Sequence, residues 1–373
     1  MEVTLRNYAV SLQHYGVSSE IIALCDEAKW RPAKQVRIEL SQAGKALIWP
    51  SFSLGSLCRV SGRLLYVHLF PAHISFLLNH LKNFDVIHYH DDADLSFPLA
   101  CLRLAKPRLF TCHTFLNTFP TYERNRLMRE LLVNSADIFH VFSTMDAVRL
   151  TRLGVCREDI RVIPNGVDTN VFRPSSGSRR RRRVRVVFVG RLTRNKGVME
   201  LLEAIRKLKQ RNEKTKAAFQ VLIVGKPWNA EYYRQLLHNK NKGLQEVTFV
   251  GFVENLPAFL RDADLFVCPS LADTNPTVNL QAMASGLPII ASSVGAIPET
   301  VIDGQTGFLV RPGDSSELAE KLSLMVDDYK LRREMGREGR VRAERLFSID
   351  RIAGLMFNTY KELLARNANQ RKN

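Results

Sequence analysis

Short, nearly unbroken apolar runs recur along this chain, each closed by turn residues and followed by a longer stretch of helical periodicity. Residues 85–89, 108–112 and 137–142, then 185–189, 220–224, 247–250, 264–268 and 288–291, read as strands of this kind. Strands so apolar need cover on both faces of their sheet. Alternation with helices, as where 137–142 is followed by a helix over 144–153, makes the sheets parallel and doubly wound, an α/β fold. Two sets of strands in 373 residues fit two domains, each large enough for its own core. Between them, Ile163-Pro164-Asn165-Gly166-Val167-Asp168 is turn chemistry, followed at once by an arginine-rich stretch. The expected division is a Rossmann-like domain over 1–170, a basic linker over 171–183, a second Rossmann-like domain over 184–348, and a helix and tail over 349–373.

Apolar residues make up 45% of the chain and charged residues 24%, the balance of a folded protein. No apolar run reaches the length of about 18 residues that spans a bilayer. Met1-Glu2-Val3-Thr4-Leu5-Arg6 lacks the basic flank and apolar stretch of a secretion signal. Cys25, Cys58, Cys101, Cys112, Cys156 and Cys268 form no close pair, which fits thiols in a reducing compartment better than disulfides or a zinc site. The expected location is cytoplasmic. The net charge of +17 is uneven: residues 1–170 hold 19 Lys and Arg against 16 Asp and Glu, and the remainder holds 35 against 21. Arg179 to Arg183 are consecutive in a Ser/Gly setting, which reads first as a solvated linker. With no aromatic platform or recognised motif beside the run, nucleic acid is not the expected partner. Peripheral attraction to an acidic membrane surface, at about 1 kcal/mol per basic residue, stays open.

Open parallel sheets bind ligands at the carboxyl ends of their strands, so the loops after residues 112, 189 and 268 matter most. After Val189 comes Gly190-Arg191-Leu192-Thr193-Arg194-Asn195-Lys196-Gly197, then a helix from about Val198. Arg191 and Lys196 thus stand beside a helix N-terminus, where free N–H groups and the helix dipole favour an anion. Two cations there can hold a diphosphate, although basic loop residues are often merely solvated. After Cys268, Asp273-Thr274-Asn275-Pro276-Thr277 leads into a short helix that stops at Gly286. Asn275 has the chemistry of an N-cap and Pro276 that of a first helical residue. Gln281 lies within the helix.

Residues 190–197, 273–286 and 298–310 resemble glycosyltransferase family 4, the retaining group 1 enzymes of GT-B fold, and residues 163–168 are similar to that family's interdomain segment. The likeness runs in consistent order from residue 1 to about residue 365. It implies two Rossmann-like domains facing across a cleft, with the helix over 349–366 crossing back to the first. It also implies retaining transfer of a sugar from a nucleotide-diphosphate sugar, with no metal or other cofactor, to a glycan, lipid or small-molecule acceptor. By that resemblance, Arg191 and Lys196 would neutralise the departing diphosphate as a divalent cation does elsewhere. Backbone N–H groups of Asn275, Pro276's neighbour Thr277 and the Pro276 turn would complete the clamp, with Gly190 at its base. Gly225, Val253 and Gln281 would line the nucleoside, while Asp273 and His113 would meet the donor sugar. His113, in Thr111-Cys112-His113-Thr114, reads from the residues alone as a satisfied core histidine as readily as a ligand contact. His90 is a secondary candidate.

Three features depart from that pattern. The family's two glutamates, seven residues apart, are here Asp273 and Gln281. Gln281 can still hydrogen-bond ribose hydroxyls. Asp273 keeps the charge but is shorter by about 1.5 Å, and a misplacement of about 1 Å can cost on the order of 100-fold in rate. The amino terminus opens on a helix over 4–15, without the family's first strand and glycine-rich turn. Loss of a central strand would expose unpaired backbone, so the expectation is an upstream start or a poorly stable chain. The Arg179 to Arg183 run is the third departure.

Other readings have their own signatures. His90-Asp91-Asp92-Ala93-Asp94 contains an Asp-x-Asp, a metal-binding pattern in another glycosyltransferase architecture, though acidic loops are commonly just solvated. A nucleotide-sugar epimerase would turn over donor without acceptor. A degenerate family member surviving as a binding or scaffold protein would bind nucleotide without transfer.

Overall fold

The structure, a computed structural model, describes residues 11–12, 15, 18–21, 36–38, 45–49, 85–91, 106–113, 123–175, 183–210 and 218–370. The chain divides into two units, Met1–Pro164 with Asp350–Asn373, and Asn165–Ile349.

Seven strands build the sheet of the first unit: β1 (Ser18–Ile21), β2 (Val36–Ile38), β3 (Lys45–Trp49), β4 (Val86–Asp91), β5 (Arg108–Cys112), β6 (Ile138–Val141) and β7 (Ile160–Val162). Their order is β2-β1-β3-β4-β5-β6-β7, parallel throughout except for the β1/β2 pair. β3 stands inside, paired in parallel with β1 on one edge and β4 on the other, so the strand edges there satisfy each other. Of the helix expected over 4–15, Ser11 and Leu12 are helical, Tyr15 follows in a turn, and the rest lies outside the described residues.

Helix α1 (Arg126–Val133) connects β5 to β6, and α2 (Thr144–Arg152) connects β6 to β7. Ser143 caps α2 by accepting from the Asp146 N–H at 3.1 Å, the N-cap role for which serine is suited. The C-terminal helix, Ile349–Gln370, runs past the expected end at 366. It packs on the first unit: the Tyr15 ring stacks on Phe357 at 5.2 Å, Arg161 pairs with Glu362, and Arg366 reaches Asp159 at 2.5 Å.

The second unit holds β8 (Val184–Val189), β9 (Phe219–Val224), β10 (Val247–Gly251), β11 (Leu265–Cys268), β12 (Ile289–Ser292) and β13 (Gly307–Val310). All pairs are parallel, in the order β10-β9-β8-β11-β12-β13. Strand progression reverses between β8 and β11, which is the topological switch point of the sheet. Helices α3 (Val198–Gln210), α4 (Ala230–Asn241), α5 (Leu256–Arg261), α6 (Thr277–Ala284), α7 (Ile297–Thr300), α8 (Ser315–Asp327) and α9 (Tyr329–Phe347) complete it. β8 shows why the strands read as unbroken apolar runs. Val186 and Phe188 enter the core layer shared with Val198, Leu201 and Ile205 of α3, while Val187 enters the opposite layer with Leu280 and Met283 of α6.

The division between units falls at Pro164, ahead of the boundary expected near residue 170. Val167 explains the difference: its N–H donates to Phe347 O at 2.8 Å and its carbonyl accepts from Ile349 N at 2.9 Å. Arg340 adds to this hold, donating to the carbonyls of Thr169, Phe172 and Ala284 at 3.0, 2.7 and 2.6 Å. Residues 171–175 therefore start inside the second unit, and of the arginine run Arg183 is exposed while Arg179 to Arg182 lie outside the described residues. Among the described residues no helix is long and apolar enough to cross a membrane.

Candidate functional site

The two loops flanking the switch point, 190–197 after β8 and 269–276 after β11, are knitted into one body. Asn195 O accepts from the N–H groups of Leu271 at 2.7 Å and Ala272 at 3.3 Å. Gly197 takes the left-handed conformation, φ 70°, and a Cβ there would stand 1.8 Å from Pro269 O, so no side chain fits. Lys196 Nζ donates to Asp273 Oδ2 at 2.5 Å, both side chains being largely buried. Lys196 stands two residues ahead of α3, whose N-terminus is the positive end of its dipole, and Asp273 supplies the compensating charge. The same Asp273 oxygen accepts the Ser270 hydroxyl at 3.2 Å. Ser270 Oγ in turn lies 3.6 Å from Cys268 Sγ, whose thiol is pushed up to about 11 by burial and then by the negative charge of Asp273. A carboxylate only accepts, so the direction is fixed: Cys268 S–H to Ser270, Ser270 O–H to Asp273.

Arg191, which opens the same loop, is exposed and has no carboxylate partner among the described residues. Its guanidinium lies 5.1 Å from the centre of the Trp228 ring. Gly225, in the loop after β9, takes φ 151°, and a Cβ there would stand 1.8 Å from Gly190 O, which brings the two loops into backbone contact. Gly225 N donates to Gly251 O at 2.8 Å, linking the loop that carries half-buried Val253. Gly190, Arg191, Lys196, Gly225 and Val253 thus gather at neighbouring strand ends of one sheet.

The start of α6 differs from the sequence reading. Asn275 does not cap it; Pro276 is the N-cap residue, with an extended ψ of 106°, and the helix begins at Thr277. The cause is a tertiary claim on Asn275, whose carbonyl accepts from Asn165 Nδ2 at 2.9 Å while its own Nδ2 is buried without a partner. Gln281 is half-buried on this helix and its side chain makes no hydrogen bond among the described residues. The stop at Gly286 occurs as expected: φ is 77°, with Leu287 N donating to Ala282 O at 3.0 Å and Gly286 N to Met283 O at 2.9 Å.

His113 belongs to the first unit, just beyond β5, with its ring 5.1 Å from Phe142. Burial, followed by the nearby His140, lowers its pKa to about 3, so the imidazole is neutral and offers one donor and one acceptor. Beneath it runs a buried chain of hydrogen bonds: Tyr360 OH to His88 Nδ1 at 2.8 Å, His88 Nε2 to Thr111 Oγ1 at 2.6 Å, Thr111 Oγ1 to His140 Nδ1 at 2.8 Å, and His140 Nε2 to Ile163 O at 2.7 Å. His90 and Asp91 end β4, but their side chains, and the rest of the Asp-x-Asp stretch, lie outside the described residues.

A model of glycosyl transferases group 1 matches residues 183–328, and a model of glycosyltransferase family 4 matches residues 1–171. The alpha-maltose-1-phosphate synthase of Mycolicibacterium smegmatis is 30% identical over 323 residues, covering 78% of this chain and 82% of that protein. The chain belongs to the group 1, family 4 glycosyltransferases. A second relative, the D-inositol 3-phosphate glycosyltransferase of Corynebacterium aurimucosum, is 30% identical over 68% of this chain and 63% of its own length. The Anabaena protein HepE, solved in complex with UDP and glucose, shares the fold with a TM-score of 0.72 at 20% identity, over 97% of this chain and 95% of that one. The fold of this glycosyltransferase is accordingly GT-B.

Sequence reasoning passed over Ser270 and Trp228 in this family member, although both stand beside residues it singled out. Ser270 sits inside the quoted motif, and Trp228 follows Gly225 by three positions. Ser270 touches its own neighbours Cys268 and Asp273, whereas Trp228 meets Arg191 from another strand end, which no local pattern announces.

Proposed function

We propose that this chain transfers a sugar from a nucleotide-diphosphate sugar to an acceptor hydroxyl, with retention of the anomeric configuration and without a divalent cation. The observation that carries this reading is the placement of Arg191 and Lys196 on one rigid loop at the switch point, ahead of the N-terminus of α3. As the bond from the anomeric carbon to the diphosphate breaks, its electron pair stays with the diphosphate, where both cations and the helix dipole stabilise it. The acceptor oxygen forms the new bond and its proton leaves with the diphosphate. Neutral His113 suits a hydrogen bond to a sugar hydroxyl, and Gln281, with both donor and acceptor, suits ribose. A protein of the same fold holds UDP and glucose, which supports a nucleotide-sugar donor. The names of the two relatives point the acceptor search first to phosphorylated sugars and polyols.

A donor and acceptor panel tests the reading: free nucleotide should appear only when acceptor is present, unaffected by chelator, and Arg191→Ala or Lys196→Ala should abolish it with the fold intact. Undiminished turnover in either variant rejects the assigned site. Donor breakdown without acceptor would indicate an epimerase-like activity instead. A second reading, a member that binds nucleotide without transferring sugar, draws on Asp273, whose Oδ2 is already taken by Lys196 and Ser270. Tight nucleotide binding with no transfer across the panel would favour it.

A further inference from the structure

We propose that Trp228 is a positioning residue for Arg191, holding its guanidinium at the donor site without neutralising it. This rests on the donor-site reading above. Arg191 and Lys196, the two cations assigned to the donor, are fixed by opposite means. Lys196 is held by the Asp273 carboxylate, which cancels much of its charge, whereas Arg191 is held by an aromatic face at 5.1 Å. A ring quadrupole attracts a cation and leaves its charge undiminished for an incoming anion. A carboxylate in the place of Trp228 would orient Arg191 equally well and repel the diphosphate.

The backbone around Trp228 is built to hold the ring there. Leu192 N donates to Lys226 O at 3.0 Å, Leu192 and Pro227 form a parallel bridge, and Gly190 N donates to Val224 O at 3.0 Å. One residue beyond Trp228, Asn229 caps α4 by accepting from Tyr232 N at 2.9 Å. Trp228 is thus bracketed by a proline in a bridge and a cap residue, with little backbone freedom left. Burial does not account for its presence, since it is 63% exposed. An arginine fixed before the ligand arrives loses less rotamer freedom on binding, which is how the stack would raise donor affinity.

Calorimetric titration of the full chain with UDP, GDP and ADP tests this, using wild type, Trp228→Ala, Trp228→Phe, Trp228→Glu, Arg191→Ala and the Arg191→Ala/Trp228→Ala double variant. Trp228→Ala should weaken the best-bound nucleotide about five-fold. Trp228→Phe should stay within about two-fold of wild type, Trp228→Glu should bind worse than Trp228→Ala, and Trp228→Ala should have no further effect once Arg191 is gone. Unchanged thermal midpoints show that the fold is kept. Binding that is lost in Arg191→Ala yet equal in wild type and Trp228→Ala overturns this proposal and leaves the donor site standing, as does an equal loss from Trp228→Ala in both backgrounds. Failure of wild type to bind any of the three nucleotides rejects the donor site, and this proposal with it.

Discussion

Lys196 Nζ lies 2.5 Å from Asp273 Oδ2, an ion pair that joins the loop after β8 to the loop after β11 across the switch point. Asp273→Asn keeps the shape and removes the charge, leaving Lys196 alone beside the positive end of α3. The expected outcome is a loss of about 1–3 kcal/mol in urea unfolding and a fall of at least about 100-fold in transfer rate. Asp273→Glu keeps the charge and should retain more activity than the asparagine variant in a side-by-side initial-rate assay.

With both histidines neutral, the buried chain from Tyr360 to Ile163 has one polarity. A carbonyl only accepts, so His140 Nε2 donates to Ile163; His140 Nδ1 then accepts from Thr111, Thr111 accepts from His88, and His88 accepts from Tyr360. Their neutrality is in line with pKa values lowered chiefly by burial, to about 4 for His140 and well below the ordinary value for His88. Unfolded histidine titrates near 6.5, so the unfolded chain binds more protons between about pH 6.5 and 4. Stability should be complete above about pH 7 and fall as pH drops through that window, with His140 alone contributing on the order of 3 kcal/mol. Urea midpoints measured from pH 7.5 to 4 give the slope, and a flat profile rejects the neutral chain.

Thr111 is the relay at the centre of that chain. Thr111→Val preserves shape and strands His88 Nε2 and His140 Nδ1 without their shared partner, at a cost of about 1–3 kcal/mol. Thr111→Ser keeps the hydroxyl and should recover most of it in the same denaturation assay.

Gly197 has neither room nor backbone conformation for a side chain. Gly197→Ala should destabilise the second unit by more than the roughly 1–2 kcal/mol that a left-handed alanine costs, because Pro269 must also move. Nucleotide affinity should fall along with the thermal midpoint, since the displaced strand end leads directly to Asp273.

Arg340 binds three carbonyls with one guanidinium nitrogen. Arg340→Met should cost about 3 kcal/mol, and Arg340→Lys should recover little, since an ammonium cannot also reach Glu344 in the geometry of the Arg340 Nη2 contact at 2.6 Å. Thermal unfolding of the two variants decides it.

Five strands of the second unit, β8 to β12, were legible because burial on both faces leaves almost no polar position in β8, β9 or β11, and each lies within a residue or two of its expected bounds, whereas β13 was not expected as a strand. Loops at the site were legible as turn chemistry around glycine and proline. Asn275 misled for a physical reason: its propensity to cap is local, and the claim of Asn165 on its carbonyl comes from 110 residues away. β3 was missed because Lys45-Ala46-Leu47-Ile48-Trp49 becomes an inner strand only through partners far along the chain. The same holds for Trp228, whose contact with Arg191 arises only when two strand ends are brought side by side.

Because Asp350–Asn373 belongs with Met1–Pro164, one unit is interrupted in the chain and the other, Asn165–Ile349, is continuous. A ribosome therefore delivers every part of the later unit before it releases the last helix of the earlier one. Tyr360, Glu362 and Arg366 reach their partners only after the whole of Asn165–Ile349 has been made, so the nascent first unit waits with the Tyr360, Glu362 and Arg366 contacts of His88, Arg161 and Asp159 unmade while the second can already settle.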